Sequence, residues 1–304
     1  MNNTNTVYAH RRAFLTTIGS IGAVTLLSSC GKSEKPENST PPTDESPSEI
    51  ASDNGGAETQ AQPLDKIDYS KNNEFGIVLG DETHTDEHGE YKQLTVSDES
   101  VLMKFDKNVV DESVFNAFTD DEVKSAQQFI APFIVESADS TLLWDNSIEA
   151  KDEWLEHNID KFSDTVQEDA VQEIKEPEND WYNLINGNAN DWKSNVEPIY
   201  VEGQPRIAFS DIKLDSITAF LDEEENNEEM LRFDYEWTVL EDLYDGKETG
   251  VIVIRSAKSF ALKRDGKGGW LITGWRGKFV YETATGENFD PSKKYAQEPF
   301  PEDE

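Results

Sequence analysis

Seven residues able to ligate a metal crowd into positions 81–90: Asp81, Glu82, His84, Asp86, Glu87, His88 and Glu90. On a helix, His84 and His88 would share a face, as the two histidines of a His-Glu-x-x-His zinc motif do. That motif needs its glutamate directly after the first histidine, where this chain has Thr85, and Gly80 and Gly89 bracket the stretch as a hairpin loop. A solvated acidic loop without metal is the better expectation. Asp222 to Glu229 is equally acidic, yet it lacks the alternating ligands and central glycine of a calcium loop. It reads as a charged turn between strands.

Other candidate groups are scattered. No Ser-His-Asp or Cys-His set is apparent, and His157 lies in an exposed helical stretch, where a lone histidine reads as a surface residue. Asp234 and Glu236 flank Tyr235, but strand alternation sends them to the face opposite the aromatic stripe. No catalytic residue, metal ligand or cofactor is assigned, which leans against an enzyme. Lys247 to Lys278 holds eight basic residues against Glu248 and Asp265, a local +6. Pairing with the neighbouring acidic strand accounts for this. The sharper alternative is an anion- or partner-binding face made by Arg255, Lys258, Lys263, Arg276 and Lys278, suited to another envelope protein or an acidic envelope polymer.

The chain as a whole is strongly acidic, with 63 Asp+Glu against 27 Lys+Arg and a net charge of −36 over 304 residues. Such a field repels nucleic-acid phosphates and anionic headgroups, so no nucleic-acid partner is expected. Mean hydropathy is −0.70, an average over a polar linker and an aromatic-rich body.

Arg11 and Arg12 precede a short, moderately apolar run from Ala13 to Leu27, which ends in Leu27-Ser28-Ser29-Cys30. Basic start, short apolar stretch and small residues make a secretory leader, too short to span a bilayer. Cys30 is the sole cysteine, so it has no partner for an internal disulfide. Leu-Ser-Ser-Cys resembles the lipobox of bacterial lipoproteins. That resemblance implies cleavage before Cys30, acylation of its sulfur by diacylglyceryl and palmitate-type chains, and a place on the outer face of a membrane. His10-Arg11-Arg12-Ala13-Phe14-Leu15 is similar to the twin-arginine export motif, departing from it at His10 and Thr16; an ordinary secretory leader is the alternative. Residues 30–66 are rich in Ser, Thr, Pro, Glu and Asn, and read as a disordered tether spanning roughly 30–35 Å.

The elements that must position any site lie beyond it. Residues 67–110 read as short strands around the acidic loop. Thr119-Asp120-Asp121-Glu122 is a capping box opening a helix with Val123, Ala126, Ile130 and Phe133 on one face, which Pro132 is expected to kink or shorten. Glu149 to Phe162 repeats a helical pattern through Trp154, Leu155 and Ile159, and 164–174 does so more weakly. Leu231, Phe233, Tyr235, Trp237 and Val239 alternate with polar residues, and Asp245-Gly246 and Asp265-Gly266 mark hairpin turns toward strands at 251–262 and 270–280. Ile207–Leu221 completes a four-stranded antiparallel meander, with a break in its alternation that marks a bulge.

Helices followed by such a sheet define an α+β fold. Asp265-Gly266-Lys267-Gly268-Gly269-Trp270-Leu271-Ile272 resembles the last hairpin of the NTF2-like (cystatin-like) superfamily. The resemblance, over residues 111–285, implies N-terminal helices packed on a curved antiparallel sheet, followed by an acidic tail at 286–304. The linker and helical block are also similar to secreted actinobacterial lipoproteins. A cavity of the kind that family encloses would be lined by Phe133, Trp154, Tyr235, Trp237 and Trp270, though a packed core explains the same residues. The functional expectation is a membrane-anchored, non-enzymatic binding or accessory module of the cell envelope, with a pocket enzyme or small-ligand binder as the alternative.

Overall fold

Alternation along the C-terminal third builds the frame: Leu231, Phe233, Tyr235, Trp237 and Val239 are buried, while Arg232, Asp234 and Glu236 between them are half-buried. The computed structural model describes residues 5–9, 67–86, 89–140, 142, 145, 147–175, 184, 197–201, 203–222, 227–244 and 247–285. All of them belong to one unit made of Met1–Phe14 and Ala61–Glu304. Cys30, Arg11, Arg12, the 30–66 tether and the 286–304 tail lie outside the described residues.

The chain order is β1 (Asn5–Ala9), α1 (Lys71–Glu74), β2 (Ile77–Leu79), β3 (His84–Asp86), β4 (Gly89–Tyr91), β5 (Leu94–Val96), α2 (Asp120–Ala138), α3 (Ile148–Asn158), α4 (Gln167–Lys175), β6 (Glu197–Pro198), β7 (Ala208–Asp222), β8 (Glu228–Tyr244), β9 (Thr249–Arg264) and β10 (Trp270–Thr285). The main sheet runs β1-β10-β9-β8-β6, with β7 also on β8, and every pairing is antiparallel. Two small antiparallel pairs, β2–β5 and β3–β4, precede it. The molecule is therefore α+β.

Two turns show why the strands reverse where they do. Gly266 has φ of 73°, and Asp265 Oδ1 accepts hydrogen bonds from the Lys267 and Gly269 amides at 2.7 and 2.8 Å. An l-residue with a side chain is costly at that φ. Asn227 takes φ of 59° before β8, a conformation that asparagine tolerates better than most residues. The Asp245-Gly246 turn lies outside the described residues. The break in alternation along β7 is real: its register on β8 shifts between Phe209 and Asp211 and again between Leu214 and Ser216.

The capping box also forms: the Glu122 amide donates to Thr119 Oγ1 at 3.3 Å, and the Thr119 amide donates to Glu122 Oε2 at 2.8 Å. Glu122 additionally meets Arg264 at 2.9 Å, tying the start of α2 to the end of β9. Pro132 does not shorten this helix, which continues to Ala138. The carbonyl four residues back, which proline deprives of a donor, belongs to exposed Gln128, where water can serve it. The next helix is shorter than its pattern: α3 ends at Asn158, a single 3-10 turn covers Ile159–Lys161, and Phe162 is extended.

That ending places Phe162 against the sheet, where the Ser163 amide donates to Ile272 O at 2.8 Å. Phe133 of α2 packs edge-on to Phe162 and to Phe260 of β9, with ring centroids 5.8 and 5.7 Å apart, and Phe162 packs edge-on to Trp275 of β10 at 5.5 Å. These favourable aromatic geometries join the helices to one face of the sheet. None of the described helices is long and apolar enough to cross a membrane.

Candidate functional site

A cleft of about 200 Å³ lies where the β3–β4 hairpin meets α2 and α3. Glu82, His84, Tyr91 and Gln93 form one wall, Glu136, Ser137 and Ser140 another, and Glu153, Trp154, His157, Asn158 and Lys161 the third. Its carboxylates outnumber its permanent cation by three to one.

Glu153 organises the histidines. Its side chain lies 3.2 Å from His84 Nδ1, and its main-chain carbonyl lies 2.7 Å from His157 Nδ1. A carbonyl can only accept, so Nδ1 of His157 carries the proton; an ionised carboxylate imposes the same choice on His84. In the neutral ring each Nε2 then keeps its lone pair for a ligand. The two rings are 6.4 Å apart, and Tyr91 packs against His84 at 5.4 Å. The acidic stretch is thus a hairpin, as its glycines foretold, but His84 is half-buried in it and not simply solvated. His157 is exposed yet has a companion that its isolation in the sequence concealed. The i, i+4 spacing of Glu153 and His157 was the available signal. Among the described residues no group of three or more metal-ligating side chains assembles, and Glu87 and His88 lie outside them.

The wall is held by buried polar contacts. Gln93 Nε2 donates to Glu136 O at 2.7 Å, and the Leu94 amide donates to Asp139 Oδ2 at 2.7 Å. Arg206, itself buried, lies between the Tyr91 and Tyr200 rings, 3.2 and 4.3 Å from their centroids. Burial pushes the Asp139 carboxyl up to about 7, against the Leu94 hydrogen bond and the Arg206 charge, which both favour the anion.

The aromatic residues expected to line a pocket separate into three settings. Phe133 is core. Trp270 packs on Phe118 at 6.0 Å and donates to Ser125 Oγ at 3.3 Å, also within packed structure. Trp154 borders the cleft. Tyr235 and Trp237 face the helix-covered side of the sheet, where Tyr235 stands opposite Lys258 in the register. Lys258 is therefore not part of an outward basic face: it is 4% exposed, with its Nζ 5.6 Å from the Trp237 ring centroid. Burial draws its ammonium down to about 7, opposed by the Glu173 carboxylate. Arg255, Lys263 and Arg276 occupy the opposite parity from Lys258 and share the outer face, and the side chain of Lys278 lies outside the described ones. On that face Lys263 reaches Glu228 at 4.0 Å, Lys213 reaches Glu236 at 3.2 Å and Arg232 reaches Asp234 at 3.2 Å. Asp234 also accepts from Ser216 Oγ at 2.6 Å and from Ser259 Oγ. Lys263 is thus engaged within the sheet, as are Lys213 and Arg232 on the same face.

No protein family, curated protein or solved structure matches this chain.

Asp139 gives the cleft wall a pH signature. Its folded pKa lies above its ordinary value of 3.8, so the folded chain binds the extra proton, and stability falls as pH rises from about 4 to about 7. Asp139→Asn keeps an acceptor for the Leu94 amide and removes that slope. Its urea midpoint relative to the wild type should climb between pH 4 and 7 and level off above, for a gain on the order of 2–4 kcal/mol at pH 8.

Proposed function

We propose that this chain is an extracytoplasmic lipoprotein fixed to a membrane through lipid on Cys30, with an NTF2-like body that binds a small organic amine without changing it chemically. The anchor rests on the leader, the small residues and the sole cysteine in the order that processing requires. Cleavage before Cys30 would remove Arg11 and Arg12, take the charge to −38 and free the edge of β10 that β1 now covers. The body then carries a field that holds it off anionic headgroups and gathers cations. The NTF2-like reading is supported by a meander of four long strands preceded by helices, with Phe133 of α2 and Phe162 meeting one face of it.

The observation that carries the binding role is the cleft itself: three glutamates, two imidazoles held by Glu153, and the Tyr91 and Trp154 rings converge on a volume suited to a small polar molecule. Carboxylates and aromatic faces are the two groups that best receive an ammonium. A pocket enzyme is the second reading, favoured by the His84–Glu153 contact, since a carboxylate behind an imidazole is how a general base is held. Among the described hydrogen bonds, however, neither imidazole engages Ser137 or Ser140.

Cys30→Ala should move the protein from the membrane fraction to the soluble fraction; retention in the membrane contradicts the anchor. Replacing Arg11 and Arg12 together with lysine should stop export by the twin-arginine route, and undiminished export assigns the leader to the general pathway. Calorimetric titration of the purified protein with 1,4-diaminobutane at low salt should show saturable binding, with 1,4-butanediol inert. Combined His84→Ala and Glu153→Gln should weaken it about tenfold or more; unchanged affinity places the amine elsewhere.

A further inference from the structure

Three buried polar atoms on the inner face of the sheet have no hydrogen-bond partner among the described residues: Tyr235 Oη, Trp237 Nε1 and Lys258 Nζ. Their placement is not accidental scatter. Tyr235 and Trp237 are two apart on β8 and so share a face, and Lys258 of β9 stands directly opposite Tyr235. The Lys258 nitrogen lies 5.6 Å from the Trp237 ring centroid. All three side chains are at least nine-tenths buried, at 1%, 3% and 4% exposure.

The neighbouring strand is cut to fit this arrangement. Gly277 of β10 is the next residue across from Lys258. A Cβ there would sit 2.7 Å from Lys258 Cγ and 3.2 Å from Cδ, so the glycine gives the lysine stem its room. Around the cluster, Phe233, Phe260, Trp275 and Phe279 occupy the same face of the sheet. The Glu173 carboxylate acts on Lys258 electrostatically, but its own oxygens accept from the Leu184 amide at 3.0 Å and Trp275 Nε1 at 2.9 Å.

Leaving one buried donor unsatisfied destabilises the folded chain, and more so when the group is charged. Three together on one face call for a shared acceptor. Ammonium and indole N–H can only donate, and burial keeps the Tyr235 phenol protonated by pushing its pKa up. The complement to three donors with one positive charge, set among aromatic rings, is a group with two acceptor oxygens, one negative charge and a hydrocarbon body. A doubly charged anion would be disfavoured by Glu173.

We propose that the inner face of the sheet binds a small aliphatic carboxylate, its oxygens received by Lys258 Nζ, Tyr235 Oη and Trp237 Nε1. The site is separate from the cleft beside α3 and takes a ligand of the opposite charge, so either stands without the other.

The test uses the full purified protein with sodium butanoate as probe, and 1-butanol and inorganic phosphate as comparisons. Butanoate should raise the thermal midpoint and change the tryptophan fluorescence saturably at millimolar concentration, while butanol and phosphate do neither. Lys258→Met, which keeps the stem and removes the charge, should weaken binding at least tenfold; Tyr235→Phe, which removes only an oxygen, should weaken it severalfold. Absence of a saturable butanoate effect on the wild-type protein overturns the proposal without recourse to any variant. So does an equal response to butanol or phosphate, or wild-type affinity in folded Tyr235→Phe.

Discussion

The register of β8 against β9, which sets Tyr235 opposite Lys258, decides what this molecule shows to solvent and what it keeps inside. Side chains on a strand alternate strictly, so one pairing fixes every other along both strands. With this pairing, Phe233, Tyr235, Trp237 and Val239 turn inward with Phe260, Leu262 and Ile254, and Asp234, Glu236 and Arg255 turn outward. A slip of one residue would bury the carboxylates and expose the aromatic rings. The cost of unpaired charge in the interior makes that alternative untenable, and the turn at Asp265–Gly269 locks the next strand to the same parity.

The helices pack on part of the inner face. Phe133, Phe162 and Trp275 interlock across the helix–sheet boundary, and Arg264 joins Glu122 at its far end. The cleft depends on a different set of contacts, those that hold the β3–β4 hairpin and β5 to α2 and α3: Gln93 on Glu136, Leu94 on Asp139, and Arg206 between two tyrosine rings. A hairpin with three-residue strands has little stability of its own. Its position, and therefore the spacing of His84 from His157, is borrowed from the larger sheet and helices.

Much of the frame was legible in the sequence because its signals are local. Period-two alternation gave the strands, Asp265-Gly266 a turn, the Thr119–Glu122 pair a helix start, and the break near Phe209 a bulge. That α2 runs on past Pro132 and that α3 stops at Asn158 answer to solvent access at Gln128 and to the sheet contact of Phe162, neither of which is a local property. The site was less legible. Grouping Lys258 with its basic neighbours followed composition, although its parity with Phe260 and Leu262 already marked it as inward. His84 and His157 are separated by most of the helical block, and only tertiary packing joins them.

The burial of Lys258 tests the register, and with it the whole assignment of faces. Brief acetylation of the native protein, read out site by site by mass spectrometry, should modify exposed Lys267 readily and leave Lys258 untouched until the chain unfolds. Acetylation of Lys258 at the rate of Lys267 would place it on the solvent side and contradict the account.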